Sequence, residues 1–156
     1  MAHVFSPNHI ELMAFFGIRE EPFNSIVIDS LATAFLRLRV GESNKGIVVI
    51  RAGEHGSLSM QMGRSLHWQR PYYASDSDNS SSKIVDTTGA GKAFLGGLAM
   101  GYLKSRDHVE ASHYGAAVAS FMLEQVGLPS LTYDEVTEKE LWNNDNPYRR
   151  LESLED

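Results

Sequence analysis

The 156-residue sequence contains no cysteine and only five prolines. Without cysteine the fold has no disulfide and no thiolate-bound metal to hold it together, so nothing indicates an oxidising compartment. The sequence also lacks an apolar run of membrane-spanning length, and no basic segment followed by an apolar stretch stands at its start. We therefore expect a cytoplasmic protein without a membrane partner.

Positive charge is also scarce. The chain has 14 lysines and arginines against 20 aspartates and glutamates, which gives a formal net charge of −6 at pH 7. Nucleic acids and anionic membranes usually require a broad positive surface, so the composition gives no reason to expect either as a partner. Any phosphate-binding site must therefore be local.

Apolar periodicity predicts an α/β chain in which helices and strands alternate. Predicted helices cover about residues 7–16, 25–39, 92–105 and 107–125, and predicted strands 4–5, 46–50, 57–62, 67–73 and 84–85. Ser6 is the expected N-cap of the first helix. Residues 75–82 contain no apolar side chain and are predicted to form an exposed loop. Two short surface helices, 135–142 and 147–154, should follow, with Trp142 and Leu151 as packing anchors.

The strongest local signal is the stretch VDTTGAG at residues 85–91, between a predicted strand and a predicted helix. Small residues at such a junction let consecutive amide N–H groups converge at a helix N-terminus, which favours an anion. We therefore predict an anion hole formed by Gly89, Ala90 and Gly91, with phosphate as its ligand. Taken alone, the same residues are equally typical of a plain tight turn.

A P-loop is a competing interpretation, because Gly91 and Lys92 follow several small residues. That motif requires glycine at the position of Asp86 and serine or threonine at the position of Ala93. Both requirements fail, so we set the P-loop aside.

The segment DTTGAGKAFLGG at residues 86–97 resembles the C-terminal signature DTTGAGDxFxGG of the PfkB/ribokinase family of carbohydrate kinases. Four other segments are similar to family motifs and follow in the same order. Residues 8–11 resemble NxxE, and residues 48–56 resemble VVxTxGxxG. Residues 116–119 resemble the small-residue helix beside the adenine, and residues 127–129 resemble the segment that ends this helix. Residues 119–129 also resemble the fungal maintenance-of-killer branch. Four ordered matches make coincidence an unsatisfactory explanation.

The resemblance implies a ribokinase-like three-layer α/β/α fold. Residues 1–130 would form its C-terminal half, with a partial, mostly parallel sheet, and residues 131–156 a tail with short helices. Family members are about twice as long as this chain, and the other half carries most of their sugar-binding residues. Because a sheet divided in this way exposes a strand edge, we expect a homodimer or a partner bound at that edge.

Lys92 stands where the family has its catalytic aspartate. In the family that carboxylate accepts the proton of the substrate hydroxyl, while the anion-hole amides stabilise the transferring phosphoryl group. A lysine side chain is a cation at neutral pH, so it would hold phosphate rather than accept the proton. Alternatively, Lys92 points to solvent as an ordinary first-turn residue.

The resemblance also implies nucleotide-binding residues. These are Asn8, Glu11, Arg51, Gly53, Gly56, Ala116, Ala117 and Ser120. Glu11 would order water bound to Mg²⁺, while Asp86 and Thr88 match the loop that binds a monovalent cation in ribokinases. From the residues alone, Asn8 and Glu11 could equally form an exposed helix face. Arg51 could be a surface charge, and the pair at residues 86 and 88 a cap.

Gly97 and Gly101 lie four residues apart, on one face of the helix predicted after the anion hole. This spacing predicts that a neighbouring element approaches the helix backbone closely.

The function predicted from these observations is a PfkB-type carbohydrate kinase homologue that binds ATP or phosphate and catalyses weakly or not at all. Its cofactors would be ATP and Mg²⁺, with a monovalent cation as a further candidate. Two alternatives stay open: an active ATP-dependent sugar or nucleoside phosphotransferase, and a non-catalytic protein-interaction module.

Overall fold

The computed structural model describes residues 3–19, 22–73 and 83–155. The chain forms two compact units, Met1–Arg70 and Pro71–Asp156, which we call the N-terminal and the C-terminal unit. Their boundary lies inside the segment expected to form one half-domain, so the division at residue 130 stays a prediction. The predicted loop at residues 75–82 falls outside the described residues.

The predicted α/β composition is confirmed, but helices and strands do not alternate strictly in either unit. The N-terminal unit contains β1 (Val4–Phe5), α1 (His9–Phe15), α2 (Ser25–Leu36), β2 (Ile47–Arg51), β3 (Ser57–Gln61) and β4 (His67–Gln69). The C-terminal unit contains α3 (Ala90–Ser105), α4 (His108–Met122), β5 (Leu131–Asp134), β6 (Lys139–Trp142) and α5 (Pro147–Glu155).

The sheet of the N-terminal unit has the strand order β1-β2-β3-β4. Only β1 and β2 are parallel, whereas β2–β3 and β3–β4 are antiparallel. The expected mostly parallel sheet is therefore wrong for these strands. A parallel pair needs a crossover of a dozen or more residues, whereas residues 52–56 join β2 directly to β3. Association through an edge strand stays a prediction.

Helix α1 begins two residues later than expected, with Asn8 rather than Ser6 as its N-cap. Residues 6–8 still run beside β2, because the Arg51 N–H donates to the Pro7 carbonyl at 3.0 Å. The chain can turn into a helix only after this contact, where Asn8 and Glu11 form a capping box.

One hydrophobic core lies between the sheet and helices α1 and α2. Its buried members are Leu12, Met13, Ile28, Ala32, Leu36, Val40, Val48, Ile50, Leu58 and Met60. Alternate residues of a strand point to opposite faces, so the core takes Val48 and Ile50 from β2. Arg51 therefore points to the other face of the sheet.

Helices α3 and α4 pack closely, which confirms the prediction from the two glycines. A Cβ at Gly97 would lie 2.4 Å from the Tyr114 carbonyl oxygen, and one at Gly101 would lie 2.9 Å from the Ala111 Cα. Only residues without a side chain permit this distance between the two backbones.

The C-terminal segment corrects one prediction and confirms another. A helix at residues 135–142 is wrong, because β5 and β6 form an antiparallel hairpin there. Asp134 stabilises its turn, accepting bonds from the Val136 N–H at 3.0 Å and the Thr137 hydroxyl at 2.6 Å. Helix α5 confirms the second predicted helix.

The two predicted anchors of this segment are both half-buried. Trp142 packs against Phe121 with ring centroids 5.4 Å apart, which confirms it as an anchor. On α5, Leu151 is half-buried like Trp142, and the buried side chains of this helix are Arg150 and Leu154. Among the described residues, no helix is both long and apolar enough to cross a membrane.

Candidate functional site

The segment before α3 is held by helix α4. Ile84 and Val85 do not form the predicted strand. Instead, the Val85 N–H donates to the Leu123 carbonyl at 2.7 Å, and the Asp86 N–H donates to the same oxygen at 3.3 Å. Leu123 is the C-cap of α4, so the end of this helix supports the loop that leads into α3.

Asp86 and Gly89 shape the turn itself. The Asp86 carboxylate accepts a hydrogen bond from the Thr88 N–H at 2.9 Å. This bond holds the pKa of Asp86 below its ordinary value. Gly89 is the N-cap of α3 in the left-handed conformation, with φ +86°. The geometry matches a capping role for Asp86, and its role towards a monovalent cation stays a prediction.

The N-terminus of α3 presents open amide donors. The Ala90 N–H donates to the Thr87 carbonyl at 3.3 Å. Among the described residues, no backbone carbonyl accepts the N–H of Gly89 or of Gly91. Two of the three predicted anion-hole amides are therefore available at the positive end of a 16-residue helix.

Lys92 lies in the first turn of α3 and its side chain is exposed. Its backbone N–H donates to the Gly89 carbonyl at 3.0 Å, and the Ala93 N–H donates to the same oxygen at 2.9 Å. These bonds fix the backbone of Lys92 in the first turn, while its side chain is exposed. The exposure also suits an ordinary first-turn residue, so the phosphate-holding role stays a prediction.

In the N-terminal unit, the structure brings Asn8, Glu11 and Arg51 together. The Asn8 side chain accepts from the Glu11 N–H at 2.7 Å, and the Glu11 carboxylate accepts from the Asn8 N–H at 2.7 Å. Arg51 Nη2 lies 3.4 Å from the same carboxylate oxygen, Glu11 Oε2. The role of Glu11 in ordering Mg²⁺-bound water stays a prediction.

Arg51 is a brace between elements rather than a loose surface charge. Its Nε and Nη2 donate to the Ser6 carbonyl at 3.3 and 3.2 Å. The side chain is 20% exposed. The guanidinium therefore ties the segment before α1 to the end of β2.

Gly53 and Gly56 form the turn that follows β2. Both have positive φ, +60° and +87°. A Cβ at Gly56 would lie 2.0 Å from the Gln69 carbonyl, because β4 passes directly beside the turn. Glycine is thus required at Gly56 by the fold, and nucleotide contacts of both residues stay predictions.

Ala116, Ala117 and Ser120 are buried residues of α4. The Ser120 hydroxyl donates to the Ala117 carbonyl at 2.6 Å and accepts from Arg150 Nη1 at 3.0 Å. Ser120 is thus occupied by protein partners, and the predicted adenine contact of this helix stays a prediction.

Sequence reasoning missed the polar cluster around Arg150, which is 5% exposed. Arg150 Nη2 lies 2.7 Å from Glu124 Oε1, and its Nε lies 2.8 Å from Asp145 Oδ2. The guanidinium also stacks on Phe121, 3.6 Å from the ring centroid. Nothing in the sequence distinguishes Arg150 from the exposed Arg149, because both follow the same short polar stretch.

Asn143 joins this cluster from the end of the β5–β6 hairpin. Its Nδ2 lies 2.7 Å from Glu124 Oε2, 2.6 Å from Gln125 Oε1 and 3.2 Å from the Phe121 carbonyl. The Tyr73 hydroxyl donates to Glu124 on the other side. The end of α4 is therefore held by hydrogen bonds from two elements of the C-terminal segment, α5 and the hairpin.

The cluster perturbs its titratable groups. Burial alone would raise the pKa of Glu124, but hydrogen bonds from Tyr73, Asn143 and Arg150 outweigh it and hold that pKa below its ordinary value. Burial likewise opposes the ion pair at Asp145, whose pKa is nevertheless lowered by Arg150. Both carboxylates are therefore ionised partners of the guanidinium at neutral pH.

No group of three or more histidine, cysteine, aspartate or glutamate side chains that could hold a metal ion occurs within residues 3–19, 22–73 and 83–155. The described residues therefore provide no protein-only metal site. The Mg²⁺ expected together with ATP stays a prediction.

Comparison with known proteins supports the resemblance drawn from residues 86–97. Residues 1–132 match the model of the pfkB family of carbohydrate kinases. An uncharacterised protein of Schizosaccharomyces pombe is 28% identical over 156 residues, 95% of this chain and 43% of that protein. The protein MAK32 of Saccharomyces cerevisiae is 30% identical over 144 residues, 90% of this chain and 37% of that protein. The chain thus spans less than half the length of these relatives.

A solved structure shows the same fold. Ribokinase of Arabidopsis thaliana, in complex with ribose and ATP, superposes with a TM-score of 0.65 and 24% identity, over 98% of this chain and 41% of that one. The predicted ribokinase-like α/β fold is therefore confirmed.

Proposed function

The chain belongs to the pfkB family of carbohydrate kinases, and on that premise we propose that it binds the phosphate groups of ATP at the N-terminus of α3. The observation that carries this proposal is the pair of open amides at Gly89 and Gly91 beside the exposed Lys92. Amide donors and a helix dipole favour an anion at this point, and the lysine adds a positive charge. Mg²⁺ would accompany the nucleotide.

Catalysis by this chain should be weak or absent, because Lys92 occupies the position of the family's aspartate. A general base must accept the proton of the attacking hydroxyl, and a positioned base contributes about 10²–10⁴-fold to such reactions. An ammonium group has no lone pair for that proton. It can still neutralise phosphate charge, so binding and catalysis are separated at this position.

Replacing Lys92 by alanine should weaken binding of ATP–Mg²⁺ about tenfold, the loss expected for one charge-assisted hydrogen bond. The dependence of affinity on salt should also become shallower, because one charge fewer attracts the phosphates. Isothermal titration calorimetry at two salt concentrations measures both effects. Lys104→Ala is the matched control, since it removes the same charge from the other end of α3.

Equal affinities of the Lys92→Ala variant and the unchanged chain would show that Lys92 is an ordinary exposed first-turn residue. If the unchanged chain binds no ATP at millimolar concentration, the proposal itself is wrong. A non-catalytic interaction module would then be the better interpretation.

Replacing Lys92 by aspartate should not by itself produce a sugar kinase. The change restores a carboxylate, but the acceptor hydroxyl must also be held against the γ-phosphate, and such positioning contributes as much to the rate as the base. We expect at most slow ADP formation that does not depend on an added sugar or nucleoside. A coupled ADP assay across a panel of acceptors measures this, with Lys92→Asn as the control that lacks the carboxylate.

Saturable, acceptor-dependent ADP release by the unchanged chain would contradict the proposal of weak catalysis. It would support the alternative of an active phosphotransferase that uses another base.

A further inference from the structure

We propose that the C-terminal segment, residues 131–155, positions residues 85–89, which we call the phosphate loop, through the last turn of α4, with Arg150 and Asn143 as the positioning residues. Almost all of this segment lies beyond the residues matched to the family model, which end at residue 132. Its effect on ligand affinity rests on the proposed function, whereas its effect on the loop does not.

Residues 85–89 contact the C-terminal end of α4. The Leu123 carbonyl, at the C-cap of α4, accepts the N–H groups of Val85 and Asp86 at 2.7 and 3.3 Å. A Cβ at Gly89 would lie 3.1 Å from the Met122 side chain, so the turn rests on the same end of the helix. The position of residues 85–89 therefore depends on where α4 ends.

Helix α5 contacts the same end of α4. Arg150 donates to Glu124 Oε1 at 2.7 Å and to Ser120 Oγ at 3.0 Å, on either side of Leu123 in the chain. It also stacks on the Phe121 ring, 3.6 Å from the centroid. A planar guanidinium with several donors fixes such partners in one arrangement.

The β5–β6 hairpin also contacts the C-terminal end of α4. Asn143 donates to the Phe121 carbonyl and to the side chains of Glu124 and Gln125, at 3.2, 2.7 and 2.6 Å. Its own placement is fixed, because its N–H donates to the Ser130 carbonyl and its Oδ1 accepts the Ser130 N–H, both at 2.9 Å.

These contacts make the end of α4 a connecting piece between the C-terminal segment and the phosphate loop. The terminal carbonyls of a helix have no partners within it and fray unless they are bonded elsewhere. Here the C-terminal segment forms hydrogen bonds with residues on both sides of Leu123, within residues 120–125. The Leu123 carbonyl in turn accepts the Val85 N–H, so the position of Val85 depends on these bonds. Loosening the segment should therefore free the loop amides without unfolding the unit.

Hydrogen exchange of the Val85 and Asp86 amides in the full 156-residue chain, without ligand, tests this inference. Arg150→Lys retains the positive charge beside Glu124 but loses the forked donor and the ring stacking. Asn143→Gly keeps the positive φ of 51° at this position and removes the three tethers. We expect exchange at both amides to rise at least tenfold in each variant.

The matched control is Ala111→Gly, in the first half of α4, which lowers the folding equilibrium constant at least about fivefold, because Ala111 is also buried, without touching the last turn. Exchange at residues 47–51 of the N-terminal unit should stay constant in all variants. Unchanged exchange at Val85 in both tail variants, or an equal rise in the Ala111→Gly control, would overturn the inference and leave the segment only a stabilising role.

Calorimetric titration with ATP–Mg²⁺ then measures the consequence for the ligand. Each tail variant should lose affinity at least fivefold at a temperature where circular dichroism shows it folded, while the Ala111→Gly control should not. If the unchanged chain binds no ATP, the proposed function fails, and the exchange result still decides whether the segment positions the loop. Faster exchange with unchanged affinity would overturn the positioning role for the ligand.

Discussion

Replacing Gly97 by alanine should destabilise the C-terminal unit by about 1–3 kcal/mol, the usual cost of forcing an extra group into a packed core. The new Cβ would lie 2.4 Å from the Tyr114 carbonyl oxygen and 3.0 Å from the Val118 Cβ. Backbone atoms cannot rotate away, so α3 and α4 would have to separate. Urea unfolding followed by far-UV circular dichroism measures the loss.

The neighbouring Gly96 provides a control in which the same substitution should raise the free energy of unfolding. An added Cβ there meets nothing within 4 Å. Gly96→Ala should therefore stabilise the helix by about 0.5–1 kcal/mol, because alanine loses less conformational freedom than glycine on folding. Stabilisation by both substitutions would show that α3 and α4 do not approach as closely as described.

Replacing Arg150 by methionine should lower the free energy of unfolding by about 3–5 kcal/mol, since removing one partner of a buried ion pair leaves charge uncompensated. The Arg150 side chain is 6% exposed, and its partners Glu124 and Asp145 are 18% and 31% exposed. Arg149→Met is the matched control. Its side chain is exposed, so the change should stay within about 0.5 kcal/mol.

The pH dependence of the free energy of unfolding distinguishes the loss of the ion pairs of Arg150 from the loss of its packing. Glu124 and Asp145 have pKa values lowered by the fold, so their contribution is present above their unfolded pKa values, about 4.3 and 3.9, and is lost as pH falls through the folded values. Without Arg150, the part of this contribution that the guanidinium supplies is lost at every pH, while the bonds from Tyr73 and Asn143 to Glu124 remain. The difference in the free energy of unfolding between the unchanged chain and Arg150→Met should therefore become smaller below about pH 4. A constant difference would assign the loss to packing.

The correct predictions came from patterns that depend on near neighbours in the chain. The signature at residues 86–97 identified the family, and the spacing of Gly97 and Gly101 predicted the close contact of α3. Helices α2, α3 and α4 were found because an amphipathic pattern with caps is a local property.

The wrong predictions concern short segments. Ile84 and Val85 are β-branched and read as a strand, yet Val85 donates to the Leu123 carbonyl of a helix. Residues 135–142 read as a helix, but the turn formed by Asp134 directs them into a hairpin. In short segments tertiary contacts outweigh intrinsic propensity.

The sequence by itself determined the family, the main helices and the glycine turn that begins α3, because each depends on residue types at fixed spacing. Only the tertiary structure decided that the sheet is mixed, that Arg51 joins Ser6 and Glu11, and that Arg150 and Asn143 hold the end of α4. The physical reason is distance along the chain. Arg150 meets Ser120 across 30 residues, and no local pattern records which two distant side chains will be buried together.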